Sequence, residues 1–402
     1  MTDLKIKTIS DNKLTIVTAK LHLERGGGSH WTVYLFCQSL RKLGIQLTLY
    51  SLNPVSEASK KKLNSLGIPV TDLDNPNEIR QLQQIAKLNH PIILVFAPIS
   101  FSYKLKRMLP QSKVFAYFNT LSGFCTNPIM QQNDCWEQCS HFERTLHHSG
   151  NLANKLAYLL VGPLKFKALR SGYNTLDGCI FDSIPLLQAY KNIYNLNQKR
   201  CFLVSDPFEI DFIQSFRSNI SQYKKGKINL LYMGTFAKYK GLSLLFEALR
   251  RCTCDWQLSL FGDGEDRQSV EKFAKEFSDR IEYHGYVYNR DLFAKVACKP
   301  FVFVHPCLWF EAFGRSIVEA MILGIPVIVP DKGGPSWIVK DGVNGLHYTH
   351  RNADSLSQKI DWASNSPKQL SKLAIEAQKR AQDFDCDKVS QELYKVLFAR
   401  KP

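Results

Sequence analysis

The stretch from His305 to Tyr348 reads HPCLWFEAFGRSIVEAMILGIPVIVPDKGGPSWIVKDGVNGLHY, and an apolar run, Phe301 to Val304, leads into it. Ile317, Val318, Met321 and Ile322 recur at helical spacing, which predicts a short helix from Gly314 or Arg315 to about Leu323. Gly324 stands where a helix C-terminus wants glycine, and Pro326 follows it. Val327, Ile328 and Val329 are β-branched and read as a buried strand. The order is strand, loop, helix, strand. In open parallel sheets, ligands bind beyond the carboxyl ends of the strands, and the loop from His305 to Gly314 lies at such an end.

Glu311 falls in that loop and Glu319 in the helix after it. Between them come Gly314 and the free N–H groups of a helix start, where roughly half a positive charge favours phosphate. An anion cradle flanked by two hydrogen-bond acceptors suits a phosphorylated, hydroxyl-rich ligand such as a sugar nucleotide. Two isolated glutamates at this spacing would ordinarily be solvated, so the surrounding residues carry the weight.

Earlier in the chain the same unit recurs. Leu14 to Ala19 reads as a strand, Arg25-Gly26-Gly27-Gly28-Ser29 as a loop, Trp31 to Leu43 as a helix, and Ile45 to Tyr50 as a strand. This is the opening of a dinucleotide-type α/β domain, although the loop is no G-x-G-x-x-G fingerprint. Strands are also expected at Ile68–Thr71, Ile92–Ala97, Val114–Phe118 and Asp177–Asp182, with Ser183 capping the helix after the last. A second run begins with Ile228–Met233 and the loop Gly234-Thr235-Phe236-Ala237-Lys238-Tyr239-Lys240-Gly241. Trp256–Phe261 and Ile281–His284 follow, ending in Gly262 and in Gly285-Tyr286. Asp72-Leu73-Asp74 spells a metal-binding triad, but so short a match after a weak strand carries little weight.

The segment Glu311-Ala312-Phe313-Gly314 through Glu319-Ala320-Met321, with Gly324, Pro326, Gly333, Gly334, Gly342, Gly345 and Leu346, resembles the signature of the retaining GT-B glycosyltransferases of family four (glycosyl transferases group 1). The resemblance implies two facing Rossmann-like α/β domains with a cleft between them. The first would span 1–205, the second 206–384, and a C-terminal helix, 385–402, would return to the first. It implies transfer of a sugar, with retention, from a nucleotide-sugar donor to a glycan or lipid-linked acceptor in cell-surface polysaccharide or glycolipid biosynthesis. No cofactor or metal is expected.

The resemblance also assigns roles. Glu311 would hold the sugar hydroxyls and Lys240 the departing diphosphate. Donor contacts would come from Glu319, Phe313, Gly314, Arg315, Ser316, Gly234, Thr235, Lys238, Gly262 and Tyr286. Gly26, Gly27, Gly28 and Asn119 would face the diphosphate and the acceptor. Three departures stand out: Thr235 replaces the family's arginine, Asn119 replaces its histidine, and Ser205 to Asp211 lacks the family's proline-asparagine-glycine turn. Lys238 or Arg315 would stand in for the arginine. A degenerate module that binds a sugar nucleotide or glycan without turnover is the alternative reading.

The 402 residues carry 52 Lys and Arg against 36 Asp and Glu, a net charge of +16, which favours polyanions. No nucleic-acid motif is present, and the basic residues are dispersed. An anionic membrane surface is therefore a candidate partner, through Leu152–Leu169, where Gly162-Pro163 interrupts the pattern, and through Phe101–Lys113. Internal helices with solvated lysines are the plainer reading of both. The amino terminus, MTDLKIKTISDNK, lacks a signal peptide's apolar core, and the eleven cysteines read as reduced thiols. A cytoplasmic protein, peripheral on the inner face of the membrane, is expected. Cys125, Cys135 and Cys139 form a candidate zinc cluster without a C-x-x-C knuckle, free thiols being the plainer reading.

Overall fold

A computed structural model describes residues 12–24, 27–73, 77–87, 91–96, 98–121, 152–216, 223–297 and 299–398. The zinc candidates Cys125, Cys135 and Cys139, and also Gly26 and Asp74, lie outside the described residues.

Two parallel sheets, each with helices on its faces, make up the chain. The first runs in the order β3-β2-β1-β4-β5-β6-β7 and the second β10-β9-β8-β11-β12-β13. In the first sheet the strands are β1 (Lys13–Thr18), β2 (Gln46–Ser51), β3 (Val70–Asp72), β4 (Ile92–Val95), β5 (Lys113–Phe118), β6 (Gly178–Phe181) and β7 (Cys201–Leu203). In the second they are β8 (Lys227–Met233), β9 (Asp255–Phe261), β10 (Ile281–Tyr283), β11 (Phe301–Val304), β12 (Val327–Pro330) and β13 (Leu346–Tyr348). Central strands such as β4, β6, β11 and β12 are buried along their whole length. Helices on both faces explain these unbroken apolar runs, where alternation would mark a sheet with one wet face. The order reverses between β1 and β4 and between β8 and β11, which creates a crevice at each switch point.

Helix starts follow local chemistry. Ser56, Asn77, Ser183 and Asn352 each accept a backbone N–H of the first turn, as short polar caps do. Helix Cys386–Phe398 returns to the first domain and buries Val389, Leu393 and Leu397 with Val33, Phe36 and Leu40. It is reached by a paired crossing: Phe208 N–H donates to Phe384 O at 3.0 Å, and Cys386 N–H donates to Phe208 O at 2.9 Å.

The two basic amphipathic segments part company. Helix Ile99–Met108 turns Phe101 and Leu105 fully into the core, so its apolar face is already covered. Leu152–Tyr173 is one helix that runs through Pro163 without a break, contrary to the interruption expected at Gly162-Pro163. Its Leu156, Leu160, Val161 and Leu164 are exposed, while Leu169 and Tyr173 anchor its end in the core. No helix among the described residues is long and apolar enough to cross a membrane. Asp72 pairs with Lys60 at 2.9 Å on the sheet edge, which gives it a structural partner away from the crevice.

Candidate active site

A cavity of about 450 Å³ lies between the carboxyl ends of the two sheets. On the second-domain side its walls are Gly234, Thr235, Lys240, Gly262, Tyr286, Glu311, Phe313, Gly314, Arg315, Ser316 and Glu319; on the first-domain side they include Gly27, Gly28 and Asn119. Residues up to 292 positions apart in sequence thus share one chamber, because the strands of both sheets deliver their following loops to it. Lys238 is not among them; it is exposed, in the 3-10 turn Lys238–Lys240. That tight turn points alternate side chains differently, and Lys240 takes the inward position.

Lys240 and Glu311 form the centre of the second-domain wall. Lys240 Nζ sits 2.5 Å from Glu311 Oε2. The Trp309 indole N–H donates to the same oxygen at 3.1 Å, and His305 Nε2 is 3.6 Å from it. The ammonium also lies 5.2 Å from the centre of the Trp309 ring, within cation–π range. Burial alone would raise the Glu311 carboxyl, but the Lys240 charge and His305 outweigh it and hold it well below the usual range. Burial would likewise lower Lys240, and Glu311 reverses this. Burial pushes the His305 imidazole down, with Glu311 opposing. The pair therefore stays ionic at neutral pH, held by a low-dielectric environment that strengthens charge attraction.

Helix Arg315–Ile322 starts at the cavity wall. Gly314, at φ 102°, is its N-cap, no side chain caps it, and no acidic residue occupies its first turn. The open N–H groups and the positive end of the helix dipole make this an anion seat. Glu319 lies one turn further along, half-buried, with its carboxyl raised by burial and by Asp206 against the opposing pull of Arg315.

Arg315 crosses the cleft. Its Nη1 is 3.4 Å from Asp206 Oδ2 and donates to Thr32 Oγ1 and Pro207 O, both at 3.2 Å. Its guanidinium lies 4.1 Å from the centre of the Phe208 ring. It is thus already engaged as an interdomain tie, and replacing the arginine missing at Thr235 would require it to exchange partners. Gly28 serves the same tie: a Cβ there would meet Arg315 Cδ at 2.3 Å. Phe313 touches the cavity but packs mainly in the core beside Phe208, Trp337 and Phe384. Tyr286 is 56% exposed and donates to Glu24 O at 3.2 Å. Ser183 Oγ donates to Ala312 O at 2.6 Å, so the two domains meet on both flanks of the cavity.

Sequence reading missed two carboxylates in the cavity wall, Asp182 after β6 and Asp206 in the link between the domains, which are 1% and 4% exposed. Tyr117 Oη donates to Asp206 Oδ1 at 3.1 Å. Asp182 directly follows β6, and a polar residue at the carboxyl end of a buried strand was the available signal.

Residues 214–380 match the family model described as glycosyl transferases group 1. A 41.2 kDa protein of the cps region of Klebsiella pneumoniae is 30% identical over 146 residues, covering 36% of this chain and 39% of that protein. Lipopolysaccharide 1,6-galactosyltransferase of Salmonella typhimurium is 32% identical over 124 residues, covering 30% of this chain and 34% of the enzyme. The chain thus spans well under half the length of these curated relatives. Among solved structures, Anabaena HepE in complex with UDP superposes at a TM-score of 0.70 with 16% identity, over 96% of this chain and 99% of its own; HepE has also been solved with UDP-glucose. This likeness shows the fold: two Rossmann-like domains in the GT-B arrangement.

Proposed function

We propose, from the premise that residues 214–380 belong to the glycosyl transferases group 1 family, that this chain is a retaining glycosyltransferase. It moves a sugar from a nucleotide-sugar donor to a glycan or lipid-linked acceptor in cell-surface polysaccharide or glycolipid synthesis. The observation that carries the reading is one cavity holding an uncapped helix N-terminus, the Lys240–Glu311 pair and Glu319. In this reading the N–H groups at Arg315 and Ser316 receive the diphosphate, and Lys240 neutralises charge as it develops on the leaving group, which is electrostatic stabilisation at a departing anion. Glu311 accepts hydroxyls of the sugar, and Glu319 those of the ribose. The complexes of the structurally similar HepE with UDP and with UDP-glucose make a uridine nucleotide the first probe.

Thermal melts with UDP-, GDP-, ADP- and dTDP-sugars test it. A donor at 100 times its dissociation constant adds about 2.7 kcal/mol. One nucleotide class is expected to raise the wild-type Tm and to leave Glu319→Ala unmoved. An equal rise in the variant would remove Glu319 from the donor site, and no rise with any donor would remove the donor reading.

The acceptor-side partner includes an anionic membrane surface in this proposal. Helix Leu152–Tyr173 offers exposed Leu156, Leu160 and Leu164 beside Lys165, Lys167 and Arg170, a pattern suited to a charged bilayer. The protein is expected to sediment with anionic vesicles at low salt and to be released at high salt. Doubling the exposed change, Leu160→Glu with Leu164→Glu, should abolish sedimentation while leaving the melt in place; unaltered sedimentation would discard this helix as the contact.

A further inference from the structure

Three ligand-bearing side chains meet on the second domain, away from the cavity. Cys252 Sγ, Cys254 Sγ and a carboxylate oxygen of Asp361 all lie within 4.8 Å of one another, and each residue is half-buried. Helix Leu242–Arg251 ends in extended backbone at Cys252, and Cys254, two residues on, falls on the same face. Asp361, on helix Ala353–Asn365, fixes the turn that carries them. Its Oδ1 accepts the N–H groups of Thr253 and Cys254, both at 3.0 Å, and its Oδ2 accepts the Thr253 hydroxyl at 3.0 Å. Outer hydrogen bonds of this kind orient a ligating carboxylate, so the donor atoms are positioned before any ion arrives. A second cluster, His305, Cys307 and Glu311, differs in one respect: the Lys240 ammonium already stands where a cation would bind Glu311.

We infer that Cys252, Cys254 and Asp361 form a structural zinc site, with water as the fourth ligand. Two thiolates and a carboxylate suit zinc, whereas magnesium and calcium take oxygen ligands. Tetrahedral neighbours around zinc, with sulfur at about 2.3 Å, stand about 3.8 Å apart, so three side chains already within 4.8 Å need close by no more than about 1 Å. As the two zinc–sulfur bonds form, the two thiol protons leave to solvent. The ion ties the end of helix Leu242–Arg251 to helix Ala353–Asn365. Cys254 and Asp361 are 107 residues apart, and a metal clip that closes so long a loop takes much freedom from the unfolded chain. The site stands at the amino end of β9, and the cavity residue Gly262 follows its carboxyl end, about 20 Å along the strand. The ion therefore stabilises the second domain and takes no part in transfer.

The full chain, stripped with EDTA and kept under a phosphine reductant, provides the test. Cobalt(II) is the first probe, because it enters tetrahedral zinc sites and shows thiolate charge-transfer absorption. Wild type is expected to bind one equivalent more of absorbing cobalt than the double variant Cys252→Ser with Cys254→Ser, and zinc is expected to displace it. Cys125, Cys135 and Cys139 are unchanged in that variant, so any metal they hold cancels in the difference. Zinc is also expected to raise the Tm of wild type more than that of the variant, since an ion that binds only the folded chain stabilises it. Should the double variant fail to fold, Cys254→Ser alone is expected to lose the same equivalent. Equal cobalt binding, or equal zinc shifts in Tm, would overturn the site. A Cys252–Cys254 disulfide in the purified protein, with no extra metal bound after reduction, would make the pair a redox couple and overturn it as well. None of these readouts involves a sugar donor, so they decide on the zinc site whether or not the chain is a transferase.

Discussion

Lys240→Ala is expected to lower kcat by about 100- to 1,000-fold, or roughly 3–4 kcal/mol of transition-state stabilisation, the scale of a lost group at a developing oxyanion. The expectation follows from the proposed function and from position: among the described residues Lys240 and Arg315 are the lysine and arginine that line the cavity, and Arg315 is held by Asp206. A second cost arrives before any substrate does. Removing Lys240 leaves the Glu311 carboxylate, 14% exposed, without its cation. Breaking one side of a buried pair typically costs about 3–5 kcal/mol. The two costs separate by pairing variants. Lys240→Ala with Glu311→Gln should recover most of the lost stability in urea unfolding and none of the lost turnover. If turnover of Lys240→Ala matches wild type, the residue has no role in transfer.

Gly262→Ala is expected to be the most damaging single methyl in the second-domain wall of the cavity. Gly262 sits at φ +148°, and an added Cβ would lie 1.9 Å from the carbonyl oxygen of Gly234. Neither backbone can yield cheaply: Gly234 N–H is bonded to Phe261 O at 3.0 Å, and Gly262 N–H to Gly285 O at 2.8 Å. The loops after β8, β9 and β10 thus brace one another, and one methyl must push at least two of them apart. A loss of about 3 kcal/mol in unfolding free energy, at the upper end for overpacking, should accompany loss of nucleotide stabilisation in melts. Gly27→Ala is the contrast. It has φ −69° and nothing within 4 Å of an added Cβ. Its fold stability should change by less than about 0.5 kcal/mol. Any effect there should appear only when donor or acceptor is present. Equal stability losses in the two variants would contradict this account of the wall.

The fold was legible because its signals are local and repeated. Buried strands such as FVFV and VIVP, each followed by a glycine-bearing loop and a helix, announce a parallel sheet without reference to anything distant. The loop and helix of the second domain were legible for the same reason, since Glu311, Gly314 and Glu319 lie within nine residues of one another. What failed to show was tertiary pairing. Lys240 and Glu311 are 71 residues apart, so nothing in either loop says that one charge is answered by the other. Arg315 read as a free phosphate binder because Asp206, its counter-ion, sits more than a hundred positions earlier. Lys238 and Lys240 are indistinguishable in composition; only the turn decides which faces inward. Asp182 carries the same lesson in reverse. Its neighbours in sequence describe an ordinary strand end, and only the assembled fold puts it on the cavity wall.

The paired crossing at Phe208 and Phe384 to Cys386 has a mechanical meaning. A single covalent link between two bodies is a swivel, free to twist as well as bend. Two lengths of backbone laid side by side and hydrogen-bonded to each other resist twist, so relative rotation is confined near one axis that runs through them. Any relative movement of the two cavity walls is then guided toward bending about that axis rather than twisting. Bending about that axis would keep Arg315 facing Gly28, Ser183 facing Ala312 and Tyr286 facing Glu24 in one register.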